Sequence, residues 1–441
     1  MKLTWTTFEH RLQQTMEREH IPGVAVAVSK KGKIIYKKGF GVKNIDTKEP
    51  VTPQTVFGTA SITKSVTALA IMKLADEGKL SVHDPVVTYI PNFQLADSIY
   101  SDTITIHHLL THTTGLAPIK RREELADYEA HVTYVADPQH ALLGKRGEYF
   151  SYSNDTFLLL GAIIERVTGK TYRQYITESL LKPLQMERST FSVENVQAMD
   201  DVSTPYVFNP EEDHLTEVAW PTLGNYEVGG GLRSTVLDLM TYGNVYINRG
   251  KLNDGSLISE SFLEKMWQPY ILIDRHTSYG YAFKVTRDRD GNTLVEHSGG
   301  QQGVSSNFGF LLEHDLVVAV LTNVSDATAN RIWLEAVNTA LGRSIDEPRG
   351  TEPSFSLRLA MKEKFIGIYG AKDGTRVTIF VDSNALHARI HEQTYSLRAS
   401  DEETLVIKET EKPIRFFIDN QQRAWAIFFG MKMLPRIDEE A

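Results

Sequence analysis

The sequence predicts an α+β fold: an antiparallel sheet flanked by helices, a helical lobe, and a small C-terminal all-β barrel-like domain. Two observations carry that reading. Strand-like runs lie at both ends of the first 345 residues with helical and loop text between them. Such ends pair into one sheet on which the intervening helices pack. Beyond residue 356 the apolar period changes to two, the pattern of half-buried strands in a small barrel or sandwich. Arg343 to Ser356, rich in Pro, Gly and charge, separates the two patterns. Linkers have that composition, so domains are expected at 1–345 and 356–441.

The elements follow in order. Phe8, Leu12 and Met16 recur at helical spacing. Val24 to Ser29 and Lys33 to Phe40 read as a hairpin turned at Lys31-Gly32. Val66, Leu69, Ala70, Met72 and Leu74 belong to an apolar run of good helix formers, with Gly78 as its stop. Further helices are expected over Thr156 to Val167, closed by Gly169, and over Thr235 to Asn248. Strands at Leu294 to His297, Asn307 to Leu312 and Leu316 to Thr322 precede a helix from Ala327 to Leu341. In the last domain Val377, Ile379 and Val381 alternate, as do Leu386, Ala388 and Ile390. Phe416 with Ile418, and Ala424, Ala426 and Phe428, continue the alternation. Asp373-Gly374, Ser383-Asn384 and Asp419-Asn420 supply turns, and Trp425, Phe428 and Phe429 are expected in the core.

Composition narrows the function. The chain has 441 residues and a net charge of -9, which argues against a broad nucleic-acid-binding surface. It has no cysteine, so disulfides, thiol nucleophiles and Cys-based zinc sites are excluded. Met1 to His20 is polar and no later stretch is apolar enough to span a membrane. Without a signal peptide or a span, the expected location is cytoplasmic.

The chemistry begins at Ser61-Ile62-Thr63-Lys64, where a loop turns into the apolar helix. A serine hydroxyl needs a neighbouring base to become a nucleophile. A lysine three residues later lies one turn up on the same helix face. A helix N-terminus also favours a developing alkoxide. The pattern is short enough to recur by chance, and Ser179-Leu180-Leu181-Lys182 repeats it. That copy ends a helix before Pro183, where the dipole opposes negative charge.

Tyr152-Ser153-Asn154 offers a second base and an amide. A phenolate is favoured beside a lysine ammonium, and asparagine carries both a donor and an acceptor for a substrate amide. Tyr242-Gly243-Asn244 and Tyr246-Ile247-Asn248 match the same pattern, but inside an amphipathic helix. His297-Ser298-Gly299-Gly300 ends a strand. Its small residues let a substrate lie along the strand edge and leave backbone N–H groups for an oxyanion; alone, the run also reads as a polar strand end with a Gly-rich turn. His108 and His112 have the spacing of a helical metal pair, but Leu109 stands where a zinc protease carries glutamate. A structural role is expected for both. Asp288-Arg289-Asp290-Gly291 starts like a calcium loop, yet lacks the downstream glutamate and reads as a hairpin turn.

Together and in this order, the three elements resemble the serine β-lactamase and penicillin-binding-protein superfamily, in the branch of class C β-lactamases, DD-peptidases, D-aminopeptidases and esterases. The resemblance runs over roughly residues 5 to 342. It includes Phe57 to Ala60, the Leu109 to Leu116 stretch with its Thr-His-Thr-Thr-Gly run, and Gly229 to Thr235. The last domain is similar to barrel appendages on some members, partly through Phe365 to Tyr369; by analogy it would shape or cover the cleft mouth. The resemblance implies Ser61 as nucleophile, with Lys64 and Tyr152 sharing proton transfer. It implies that Asn154 binds the acyl-side amide and that the N–H groups of Ser61 and Gly300 form an oxyanion hole. His297, Ser298 and Gly299 would bind substrate. His297 departs from the lysine that β-lactamases usually carry there, which replaces a fixed cation by a mostly neutral group. The expectation is an acyl-enzyme hydrolase without metal or cofactor. Its substrate would be a small molecule or peptide, with cell-wall fragments and β-lactams among its candidate ligands. D-peptidase or carboxypeptidase activity leads, and an esterase, a weak β-lactamase or a non-turnover penicillin sensor are the alternatives.

Overall fold

The computed structural model describes residues 5–95, 98–288, 290–358 and 361–437. Arg289, in the turn expected at 288–291, lies outside them. Packing groups the chain into two compact units. One comprises residues up to 84 with Leu158–Tyr270 and Ser278–Arg349; the other comprises Pro85–Phe157, Ile271–Thr277 and the chain from Gly350 onward.

The first unit is built on an antiparallel sheet. Six adjacent strands of this eight-stranded sheet stand in the order Lys33–Gly41, Gly23–Lys30, Leu316–Thr322, Val304–Leu311, Thr293–Gln301 and Lys284–Arg287. The two ends of the sequence segment thus meet at the pairing of Val24 to Lys30 with Leu316 to Thr322. Leu316–Thr322 is apolar without alternation and buried throughout, because helices cover both faces of the sheet. On one face lie Phe8 and Leu12 of helix Trp5–Arg18, and Ile332, Trp333 and Ala336 of helix Ala329–Leu341. Burial of a side chain the size of Phe8, Leu12 or Ile332 contributes about 1.5–3 kcal/mol, and the Trp333 indole N–H donates to the Val318 carbonyl at 3.0 Å. On the other face Gly243 of helix Val236–Ile247 approaches Val317 so closely that a Cβ there would lie 2.2 Å from it.

Helix Thr63–Asp76 runs through the interior of this unit, and nearly all its residues are buried. The helix expected over Thr156 to Val167 is observed as Leu159–Thr168, ended by Gly169 in the left-handed region at φ 69°. Asp288 accepts from the N–H groups of Asp290 and Asn292, which makes the expected hairpin turn between Lys284–Arg287 and Thr293–Gln301.

In the second unit the C-terminal strands close an antiparallel barrel, each pairing with the next and Gly367–Gly370 with Lys432–Ile437. Val377, Ile379, Leu386, Ala388 and Phe416 fill it, as the alternation predicted. The expected run Ala424, Ala426, Phe428 does not share one face. The ladder passes from Phe417↔Ala426 to Ile418↔Ala424 and skips Trp425. One extra residue in a strand reverses which side chains face inward. Ala424 and Ile427 therefore line the interior, while Ala426 turns outward to Ala117, Leu143 and Met433. Val381, at the end of its strand, is 38% exposed and also lies outside the core. Trp425 and Phe417 pack on Tyr149, with ring centroids 5.5 and 5.3 Å away. Among the described residues no helix is long and apolar enough to cross a membrane.

Candidate active site

Ser61 lies in a single 3-10 turn, Ala60–Ile62, that leads directly into helix Thr63–Asp76. The turn is held from two sides. Phe57 and Gly58 pair with Ser234 and Arg233, and the Thr59 N–H donates to the Leu232 carbonyl at 3.0 Å. Thr63 Oγ1 donates to the Ala60 carbonyl and accepts from the Leu232 N–H. Ala60 is thereby kept at φ 46°, an unfavourable region for alanine. Ser61 remains half-buried while Lys64 is wholly buried. The Lys64 amine lies 3.4 Å from Ser61 Oγ and donates to the Gly229 carbonyl at 2.9 Å. A Cβ on Gly229 would sit 2.7 Å from that amine, so only glycine lets the carbonyl come this close.

Strand Thr293–Gln301 carries the third element. Its ladder with Lys284–Arg287 ends at Lys284↔Glu296, whereas pairing with Val304–Leu311 continues through Gly300↔Ser305. A Cβ on Gly299 would lie 2.3 Å from the Thr59 carbonyl oxygen and 3.1 Å from Ala60 Cβ, so the strand presses onto the serine turn at this point. The same test finds open space at Gly300. His297 is buried, with Nδ1 2.6 Å from the Ser298 carbonyl and Nε2 3.1 Å from the Tyr279 hydroxyl. A carbonyl can only accept, so the ring proton sits on Nδ1 and Nε2 accepts from Tyr279. Burial first, and the Lys64 charge second, push the His297 pKa down to about 3. The imidazole is neutral at pH 7.

In the second unit Tyr152, half-buried, and Ser153 precede the short helix Asn154–Phe157. Three successive N–H groups of this loop are tied down: Ser151 to the His112 carbonyl at 3.0 Å, Tyr152 to the Met431 carbonyl at 2.9 Å, and Ser153 to His112 Nδ1 at 3.3 Å. The His112 and Tyr152 rings lie 4.3 Å apart. A cleft of about 190 Å³ opens beside the loop, lined by Tyr152, Asn154, Pro118, Ile119 and Arg121, and by Asp373 and Lys432 of the barrel. Lys432 is ion-paired with Asp373 at 2.5 Å. His112 thus braces the tyrosine loop, and His108 closes a helix cap by accepting from the Thr105 N–H at 3.0 Å.

The repeated patterns are used elsewhere. Ser179 lies in the helical turn Thr177–Leu181, and Lys182 is exposed. Tyr242 and Tyr246 are fully buried, hydrogen-bonded to each other at 2.6 Å, and burial pushes both phenols up.

Comparison with known proteins identifies the family. The family model described as Beta-lactamase matches residues 8–340. The chain belongs to the beta-lactamase family. Its members are generally serine hydrolases. Protein flp of Staphylococcus aureus (strain MW2) is 38% identical over 218 residues, which cover 47% of this chain and 43% of that protein. The matched part is thus less than half of that relative's length. Penicillin-binding protein 4* of Bacillus subtilis (strain 168) is 25% identical over 401 residues, 86% of either chain. Among solved structures, the octameric penicillin-binding protein homologue from Pyrococcus abyssi superposes with a TM-score of 0.72 at 30% identity, over 97% of this chain and 99% of that one. The class C beta-lactamase from Rhodobacter sphaeroides shares the fold, with a TM-score of 0.63 at 21% identity over 76% of this chain and 98% of that one.

Three positions escaped sequence reasoning in their roles. Gly229 stood out only as part of a glycine run, and its carbonyl contact with Lys64 needed the fold. His112 bears on the loop 39 to 41 residues later through its own backbone and ring. Met431 lies 279 residues beyond Tyr152, and no local pattern marks it.

Proposed function

We propose that the protein is a penicillin-binding-protein-like serine hydrolase that cleaves small peptides or amides, in the manner of a D-peptidase or carboxypeptidase, through an ester on Ser61. The observation that carries this reading is the buried Lys64 amine 3.4 Å from Ser61 Oγ at the start of a helix. Ser61 Oγ adds to the substrate carbonyl carbon, and its proton passes through Lys64 and Tyr152 to the leaving nitrogen as the C–N bond breaks. Water then adds to the ester carbon, the bond from that carbon to Ser61 Oγ breaks to release the acid, and the water's proton returns through the same pair to Ser61 Oγ. The N–H groups of Ser61 and Gly300 bind the oxyanion. Asn154 takes the acyl-side amide, beside a cleft whose charges of both signs suit a peptide. Serine, lysine and tyrosine suffice for each step, so no metal or cofactor is invoked.

The neutral His297 favours a second reading for part of the substrate range. A cation that would grip the carboxylate of a β-lactam is missing from this position, so esters without a carboxylate are accepted and β-lactams turn over slowly. A panel of D-Ala-D-Ala peptides, D-amino-acid amides, short-chain esters and β-lactams tests both readings. Turnover of peptides, amides or esters, lost in Ser61→Ala, is expected. Rapid β-lactam hydrolysis with no peptide, amide or ester turnover would overturn the assignment, and a permanent adduct without any turnover would make the protein a sensor.

A further inference from the structure

We propose that the barrel's last hairpin, Phe429 to Lys432, is a positioning element for Tyr152, so that the C-terminal domain is a working part of the catalytic machinery. This rests on the reading of Tyr152 as a proton-transfer residue. The hairpin joins strands Ala424–Phe429 and Lys432–Ile437 through Gly430 and Met431 alone, with Phe429 paired to Lys432. Both turn residues have positive φ, 58° and 71°, as a two-residue turn of this hand requires. Glycine adopts this freely, but methionine does so at a cost.

The turn delivers that strained residue to the tyrosine loop. The Met431 carbonyl accepts the Tyr152 N–H at 2.9 Å, and the Met433 N–H donates to Ser151 Oγ at 3.3 Å. Two rungs therefore join the barrel to residues 151 and 152, while His112 holds the N–H groups of Ser151 and Ser153. Behind them Phe150 packs on Phe428, ring centroids 5.8 Å apart, and Tyr149 packs on Phe417 and Trp425. The Tyr152 backbone is thus fixed by a segment remote in sequence, and its side chain borders the cleft that Lys432 also lines. A misplacement of about 1 Å in a proton-transfer group can cost on the order of a hundredfold in rate.

The test inserts two glycines between Gly430 and Met431 in the full chain. The control inserts the same pair between His391 and Glu392, in the barrel turn that joins Ala385–Ile390 to Gln393–Ala399. Both proteins are compared by thermal unfolding, by amide exchange of residues 151–153, and by acylation with a p-nitrophenyl ester, in wild-type and Tyr152→Phe backgrounds. We expect faster exchange and about tenfold slower acylation for the first insertion only, at a KM within about twofold. Its effect should vanish in Tyr152→Phe, because coupled groups are non-additive. Unchanged acylation and exchange, or an equal loss in both backgrounds, overturns the inference. Acylation that survives Ser61→Ala overturns instead the hydrolase reading beneath it. Should the insertion block folding, Ser151→Ala removes one rung alone. Slower acylation by about twofold to fivefold, again only with Tyr152 present, supports the proposal, and wild-type rates overturn it.

Discussion

At the scale of single residues, His297 sets the electrostatic character of the strand that presses onto the Ser61 turn. It is neutral because charging it would cost burial and repulsion from Lys64. The depressed pKa fixes the sign of a pH effect. Above the ordinary histidine pKa of 6.5, folded and unfolded chains are both unprotonated here and the group contributes no pH dependence. As pH falls from 6.5 towards about 3, the unfolded chain binds a proton that the folded one does not, so stability declines with falling pH. Between pH 7 and pH 5 the loss is about 2 kcal/mol. His297→Gln, which cannot titrate, should lose about that much less than wild type over the same interval in urea unfolding. Equal pH dependence of the two proteins would contradict the buried neutral state.

At the scale of elements, the decisive contacts are close backbone approaches. The short helix Glu227–Gly230 packs on helix Thr63–Asp76 so that the Gly229 carbonyl meets the Lys64 amine. Gly229→Ala should slow ester acylation by about tenfold, or about 1.4 kcal/mol in the barrier, because the new methyl would lie 2.7 Å from the Lys64 amine and push it aside. Gly230→Ala is the control, since a Cβ there would come no nearer than 3.4 Å to a flexible Gln301 side chain. It should stay within about twofold of wild type, and equal losses in the two variants would refute the close-approach argument. The same scale shows what a sequence conveys. The hairpin at Lys31-Gly32, the helix after Ser61, the stop at Gly169 and the central strand Leu316–Thr322 were legible from apolar period and turn residues. The bulge at Trp425 was not, because alternation in the sequence continues unbroken where the ladder skips a residue. Ser61, Lys64, Tyr152 and His297 could be picked out as chemistry-bearing types. The Gly229 carbonyl and the Met431 carbonyl could not, since every residue has a carbonyl and only the fold selects one.

At the scale of the whole molecule, one family framework contains two compact units that do not follow the sequence boundaries. The composition shift near residue 350 marks where the barrel strands begin to be prepared, yet Pro85–Phe157 belongs to the same packed unit as the barrel. That grouping is why Tyr149 to Ser153 reach barrel residues directly, and no reading of local periodicity could find it. The proposed reaction turns on one bond, the ester between Ser61 and the acyl group. Rapid acid quench after mixing with a p-nitrophenyl ester, followed by intact mass and peptide mapping, measures it directly. A transient gain of one acyl group on the peptide containing Ser61, absent in Ser61→Ala, is expected. An adduct on any other residue, or ester turnover undiminished by Ser61→Ala, would contradict it.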